Sequence, residues 1–263
     1  MTTQLPTEEL LYEVRDDIGW ITFNRPQARN AFTFAMYDRL AEICRQSVAD
    51  LPRVLVMTGA GDRAFAAGTD ISQFLEFKTE EDVYGYEQRV NTVLSTIEDC
   101  PVPTIAAIRG ACTGGGAGIA AACDLRIGAP SALFGAPVAR TLGNCLSIAN
   151  YARFSAIIGQ ARIKEILFTA RLVDASESLA IGWLHEIVSS DDALLARAEE
   201  LARLIAANAP LTLRATKMAI KRIKDLSVPE EGRDLLKMCY MSHDFHEGVE
   251  AFLAKRPPNW TGA

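Results

Sequence analysis

Two runs of small residues constrain this chain more than anything else in it. Phe65-Ala66-Ala67-Gly68-Thr69-Asp70-Ile71 and Gly110-Ala111-Cys112-Thr113-Gly114-Gly115-Gly116-Ala117-Gly118 each lie between a strand-like stretch and a helix-like one. Small residues at such a junction let a ligand approach the backbone, and the first N–H groups of a helix have no partner within the helix. A partial negative charge is stabilised there. Two such sites in one core could supply two converging N–H donors, the arrangement that stabilises a developing oxyanion. Glycine-rich turns between strand and helix also serve close packing alone, and the residues by themselves leave both readings open.

The pattern around these runs is α/β. Residues 11–15 and 19–23 read as two strands on either side of an Asp16-Asp17 turn. After Asn24-Arg25-Pro26, Thr33 can cap a helix in which Phe34, Tyr37, Leu40, Ala41, Cys44 and Val48 recur at helical spacing, with Pro52 as its stop. A strand at 54–58, a helix from about Thr79 to Cys100, a strand at 104–108 and a helix at 115–123 repeat the rhythm, and repeated ββα units predict one α/β domain. Beyond residue 145 the spacing predicts helices at 145–158, 162–169, 176–182, 194–208, 211–224 and 229–240, with one strand at 185–189. No linker separates the halves, so a core over 1–200 followed by a helical region over 201–263, packed on the core or on a neighbouring subunit, is expected.

Several function classes fall away. The net charge of −6 is too acidic for generic nucleic-acid binding, and no apolar run approaches the roughly 18 residues that cross a bilayer. The six cysteines show no CxxC or Cys/His metal spacing, and no signal peptide precedes them, so reduced thiols in a cytoplasmic protein are expected. Gly116-Ala117-Gly118-Ile119-Ala120-Ala121 matches a loose dinucleotide pattern, but no acid occurs between Asp124 and Glu165 to hold a ribose. GxSxG, HExxH and GxxxxGK[ST] are absent. His185, in an apolar strand, reads as a satisfied core residue, and His243 with His246 as a solvated helix face. From Leu125 to Lys164 the charges are Arg126, Arg140, Arg153, Arg162 and Lys164 alone, either a field for an anionic ligand or scattered surface cations.

FAAGTDISQF from Phe65 to Phe74 and IRGACTGGGAGIAAACDLRI from Ile108 to Ile127, in this order and at this separation, resemble the two motifs of the crotonase (enoyl-CoA hydratase/isomerase) family. The turn NRPQARNAF at Asn24–Phe32 and the tail EGVEAFLAKRPPNW at Glu247–Trp260 extend the resemblance over nearly the whole chain. It implies a spiral of ββα units with a C-terminal helical region, and an acyl-CoA enzyme assembled as a homotrimer or dimer of trimers. It implies no permanently bound cofactor, with coenzyme A entering as part of the thioester substrate; charge and hydropathy already led to the expectation of no nucleic acid or membrane partner. It further implies that the backbone amides of Thr69 and Gly115 hold the thioester carbonyl, while Ala28, Arg29, Ala31, Ala66, Gly68, Asp70, Ile71, Gly114, Gly118 and Val138 line the pocket.

The departures from the family matter as much. Family hydratases carry one glutamate near the end of the GGG motif and a second just after Phe-Gly-x-Pro, where this chain has Gly118 and Val138. Neither can accept a proton, and general acid–base catalysis contributes about 10²–10⁴-fold. Just downstream, Arg140 could grip a substrate carboxylate, Asn144 could orient a water or a carbonyl, and Cys145 is a weak acid or packing. Double-bond isomerisation, decarboxylation or C–C cleavage of an acyl-CoA is therefore expected ahead of hydration, with a non-catalytic acyl-CoA-binding protein as the rival from another class.

Overall fold

Asp16 and Asp17 both adopt positive φ, 50° and 60°, the two-residue turn whose twist suits a tight hairpin. They join β1 (Leu10–Arg15) to β2 (Ile18–Phe23). The computed structural model describes residues 8–46, 52–226 and 232–262. Thr33 caps α1 (Phe34–Cys44) by accepting a hydrogen bond from Met36 N, and the continuation expected to Val48 lies outside the described residues. Next come β3 (Val54–Gly59), β4 (Ala64–Ala66) and a 3-10 turn at Ile71–Glu76 capped by Asp70, where a helix start was expected. A capping box of Thr79 and Asp82 opens α2 (Glu80–Asp99). Then follow β5 (Thr104–Ile108), β6 (Ala111–Thr113), α3 (Gly115–Ala122), β7 (Leu125–Gly128) and β8 (Leu133–Gly135).

The strands form two sheets. The larger has the order β1-β2-β3-β5-β7 and ends on β9 (Glu186–Ile187), with β1 antiparallel to β2 and the remaining pairs parallel. The smaller is the parallel trio β4-β6-β8. Its three-residue strands are too short to show a period, and sequence reading does not find them.

Parallel strands covered on both faces are apolar throughout. One face of the large sheet, with Leu55, Met57, Ala106 and Ile108, packs with residues of α1, α2 and α3. The other, with Val54, Val56, Ile105 and Ala107, packs on Leu194, Ala198 and Ala202 of the helix at Leu194–Ala206.

The C-terminal part supplies α4 (Val138–Thr141), α5 (Ile148–Ile158), α6 (Gln160–Thr169), α7 (Ala175–Ala180), α8 (Leu194–Ala206), α9 (Pro210–Asp225), α10 (Arg233–Tyr240) and α11 (His243–Leu253). The N-terminal part of the helix expected at 229–240 lies partly outside the described residues. Residue 200 falls inside α8, which is part of the core.

Asn30 pins the Asn24–Phe32 turn to the core. It is fully buried at φ 56°, its Oδ1 accepts from Arg25 N (3.0 Å), and its Nδ2 donates to Ala60 O (3.0 Å) and Ala64 O (2.7 Å). Asn30→Ala leaves these buried groups unpaired and strains the left-handed backbone, so chemical denaturation should show a loss of about 2–4 kcal/mol.

Candidate active site

Parallel pairing of β4 with β6 sets Ala64 beside Ala111 and Ala66 beside Cys112, so the chain leaves both strands at the same end of the small sheet. Gly68 (φ 109°) and Gly114 (φ 52°) turn there, in a region that L side chains disfavour. A Cβ on Gly114 would lie 3.6 Å from Gly68 Cα, and one on Gly115 would lie 3.5 Å from Thr69 N. The two amides are thus side by side, and Gly115 heads α3, where an N–H has no acceptor within the helix. Behind them runs a row of hydroxyls, with Tyr37 Oη 2.9 Å from Thr69 Oγ1 and Thr69 Oγ1 2.9 Å from Tyr86 Oη. Tyr37 also explains Gly115, since a Cβ there would meet its Oη at 2.3 Å.

The Asn24–Phe32 turn is laced to the same loop. Ala67 N donates to Arg29 O (3.0 Å), Phe32 N to Gly68 O (2.8 Å) and Asp70 N to Phe32 O (2.9 Å). Arg25 donates to Ala31 O (2.6 Å) and to the Asp70 carboxylate (3.0 Å). The structure therefore brings Ala28, Arg29 and Ala31 together with Ala66, Gly68, Asp70 and Ile71, Arg29 being exposed. Burial pushes the Asp70 carboxyl up, but the bonds from Ser72 and Arg25 outweigh it and hold the group below its usual range. Asp70 is an ionised cap and ion-pair partner.

At the two positions where family hydratases carry glutamate, Gly118 faces Leu94 and Asn150 (3.2 Å and 3.6 Å from a Cβ built there), and Val138 begins α4, half-buried. Arg140 is exposed on α4. Asn144 donates from Nδ2 to Tyr240 Oη (2.9 Å), and its buried Oδ1 has no partner. The cations of the acid-free stretch do not form one field. Arg126 is buried and donates to the carbonyls of Ala120, Cys123 and Trp183, Arg153 is buried on Glu98, and Arg162 sits by Glu165 and Glu177. His185 is exposed and not in the core, because it precedes the two-residue strand β9 at the sheet edge, with Nδ1 3.2 Å from Arg126 N. His243 and His246 are exposed, and no group of three or more His, Cys, Asp or Glu among the described residues is placed to hold a metal.

Sequence reading passed over Glu87. It is 6% exposed on α2 and accepts a hydrogen bond from Tyr240 Oη (2.7 Å). Burial raises its carboxyl to about 7, against the Tyr240 bond, which lowers it. A signal was present, because Val83, Glu87, Val90, Leu94 and Ile97 mark one buried stripe of α2 and a carboxylate stands in an apolar position of it.

The enoyl-CoA hydratase/isomerase family model matches residues 13–263. The short-chain-enoyl-CoA hydratase of Clostridium acetobutylicum is 30% identical over 255 residues, covering 94% of this chain and 95% of that protein. A solved enoyl-CoA hydratase/carnithine racemase from Magnetospirillum magneticum superimposes with a TM-score of 0.78 at 34% identity, over 98% of this chain and 97% of the other. A methylmalonyl-CoA decarboxylase in complex with 2-nitronate-propionyl-CoA shares the fold with a TM-score of 0.87 at 24% identity, covering 97% and 99%.

The buried Glu87 sets a pH dependence of stability. Its folded pKa of about 7 lies above its ordinary value of 4.5, so the stability it contributes is complete below pH 4.5 and is lost as pH rises to 7. Glu87→Gln removes the ionisation, and thermal unfolding should show the variant more stable than wild type at pH 8, by about 3 kcal/mol, with the gap closing toward pH 5.

Proposed function

Because the chain belongs to the enoyl-CoA hydratase/isomerase family, whose model spans residues 13–263, we propose that it holds the thioester carbonyl of an acyl-CoA between the amides of Thr69 and Gly115 and stabilises the enolate formed there. The observation that carries this reading is the approach of those two amides across the ends of β4 and β6. A single donor aimed at developing negative charge is worth about 2.7–4 kcal/mol. The Tyr37–Thr69–Tyr86 row fixes the loop that presents one donor, so little reorganisation accompanies the charge. The laced turn and loop, from Ala28 to Ala31 and from Ala66 to Ile71, with Gly114, Gly118 and Val138, line the site for coenzyme A and its acyl group.

Gly118 and Val138 leave no glutamate to manage a water at either family position, which favours isomerisation, decarboxylation or C–C cleavage over hydration. The unpartnered Oδ1 of Asn144 supports a role for it in orienting a substrate group, and the exposed guanidinium of Arg140 supports contact with a substrate carboxylate. Coenzyme A arrives with the substrate, and the chemistry needs no resident cofactor. A reducing, cytoplasmic setting suits the six free cysteines.

No residue of α9 is buried, and Leu211, Ile220, Ile223 and Leu226 are exposed on it or at its end. So much apolar surface favours burial between copies, with 201–263 as the trimerisation region. No helix among the described residues is long and apolar enough to cross a membrane.

Calorimetric titration should show binding of acetoacetyl-CoA and none of NADH; the reverse would overturn the reading. Light scattering should give a mass near three or six times 28.6 kDa. Hydration of crotonyl-CoA should be very slow in the wild type and rise in Gly118→Glu/Val138→Glu, where Leu94, 3.2 Å from the new Cβ, must yield slightly.

A further inference from the structure

We propose that Glu87 is the catalytic acid–base residue of this site, exchanging a proton with the acyl carbon next to the thioester carbonyl, and that Tyr240 and Asn144 are the positioning residues that aim its carboxyl. The proposal rests on the acyl-CoA reading above and gives the site a group that moves a carbon-bound proton, while Gly118 and Val138 still leave no acid to manage a water.

Placement comes from α2, which packs beside α3. Leu94 meets the space at Gly118, and Glu87 lies two turns earlier on the same buried stripe, toward the start of α3 where Gly115 stands. Its neighbour in sequence, Tyr86, bonds Thr69 at that level. A carboxyl at such a position is costly unless it has a use or full pairing. Here the pairing is a single chain, Asn144 Nδ2 to Tyr240 Oη (2.9 Å) and Tyr240 Oη to Glu87 Oε1 (2.7 Å), which ends on an Asn144 Oδ1 that is buried and unpartnered. Other nearby acids are committed: Asp70 to Arg25, Asp124 to Lys217, and Glu98 to Arg153 and Lys224.

In the step itself the Cα–H bond breaks, the proton passes to the Glu87 carboxylate, and the electron pair moves into the enolate whose oxygen the two amides hold. Return of the proton from Glu87 to the same carbon gives exchange, and its return to the γ carbon of an unsaturated chain gives isomerisation.

The titratable groups that feel the Glu87 charge are Tyr37 of α1, Tyr86 of its own helix, Tyr240 of α10, Tyr151 of α5, and Cys145. Burial pushes the phenols up, so they stay neutral near pH 7. Cys239 is the competing group, since its bond with Cys145 lowers it to about 7.

The test is deuterium uptake at the α carbon of butyryl-CoA in D2O, read by mass spectrometry from pH 5 to 9 on the full chain, with butyryl-CoA binding measured in parallel. Wild type should incorporate deuterium with a rate that rises to a plateau through a midpoint near 7. Glu87→Gln should lose about 10²–10⁴-fold of that rate while binding is kept. Tyr240→Phe removes a bond that favours the carboxylate, so it should move the midpoint upward, a shift that a merely structural role would not give. Cys239→Ser should leave the midpoint in place. Undiminished exchange in Glu87→Gln, an unmoved midpoint in Tyr240→Phe, a midpoint that follows Cys239, or wild type that binds butyryl-CoA without exchange would each overturn Glu87 while leaving the acyl-CoA reading standing. Failure of the wild type to bind butyryl-CoA at all would overturn both.

Discussion

The parallel pairing of β4 with β6 is the contact on which the site depends. Three residues from each strand suffice to bring together two turns that are 46 positions apart in the chain, counting from Thr69 to Gly115. Glycine at 68 and 114 is the consequence, because the chain must turn with positive φ immediately beyond the pairing and within van der Waals distance of the other turn. Tyr37, reaching from α1, then ties the hydroxyl of Thr69 and limits residue 115 to glycine. A sheet of this size contributes little stability alone. It is held by what surrounds it, from Asn30 bonded to Ala64 O at one end to Val173 bonded to Phe134 in β8 at the other.

The charged groups divide by whether their partners are complete. Arg126 caps the end of α3, where cations and carbonyl ends attract, and has three carbonyl partners. Arg153 and Glu98 form a buried pair joined by Asn150, Ser95 and Lys224. Asp124 receives Thr104 and Lys217, which docks α9 onto the end of β5. Each of these charges has several partners, and removing one strips pairing from a buried or half-buried charge, so they read as framework. The chain from Asn144 through Tyr240 to Glu87 differs, since it ends on an acceptor with nothing to accept. Perturbed titration inside an incompletely paired cluster, one residue along α2 from the tyrosine that bonds Thr69, is a pattern that functional groups share.

Membership of the enoyl-CoA hydratase/isomerase family explains the arrangement of the backbone, and the side chains around it distinguish this member. Gly118 is buried, and a Cβ built there would press on Leu94 at 3.2 Å and lie 3.6 Å from Asn150 Oδ1. Polar groups gather instead toward α2 and α10.

By itself the sequence determined the hairpin, the ββα rhythm, the cap at Thr33, the helix from about Thr79 and the two glycine-rich turns, because each depends on residues within a few positions of one another. It showed as plainly that Gly118 and Val138 carry no acid, since absence needs no coordinates. Only the tertiary structure decided the small sheet, whose strands are shorter than any detectable period, and the fate of the cations, since Arg126 and Arg153 look alike in a sequence until their partners are known. It alone joined Glu87 to Tyr240 and Asn144, groups separated by up to 153 positions. A carboxylate in an apolar stripe is visible in one dimension, but whether it is paired, solvated or left to titrate depends on what packs against it, and that is a property of the fold.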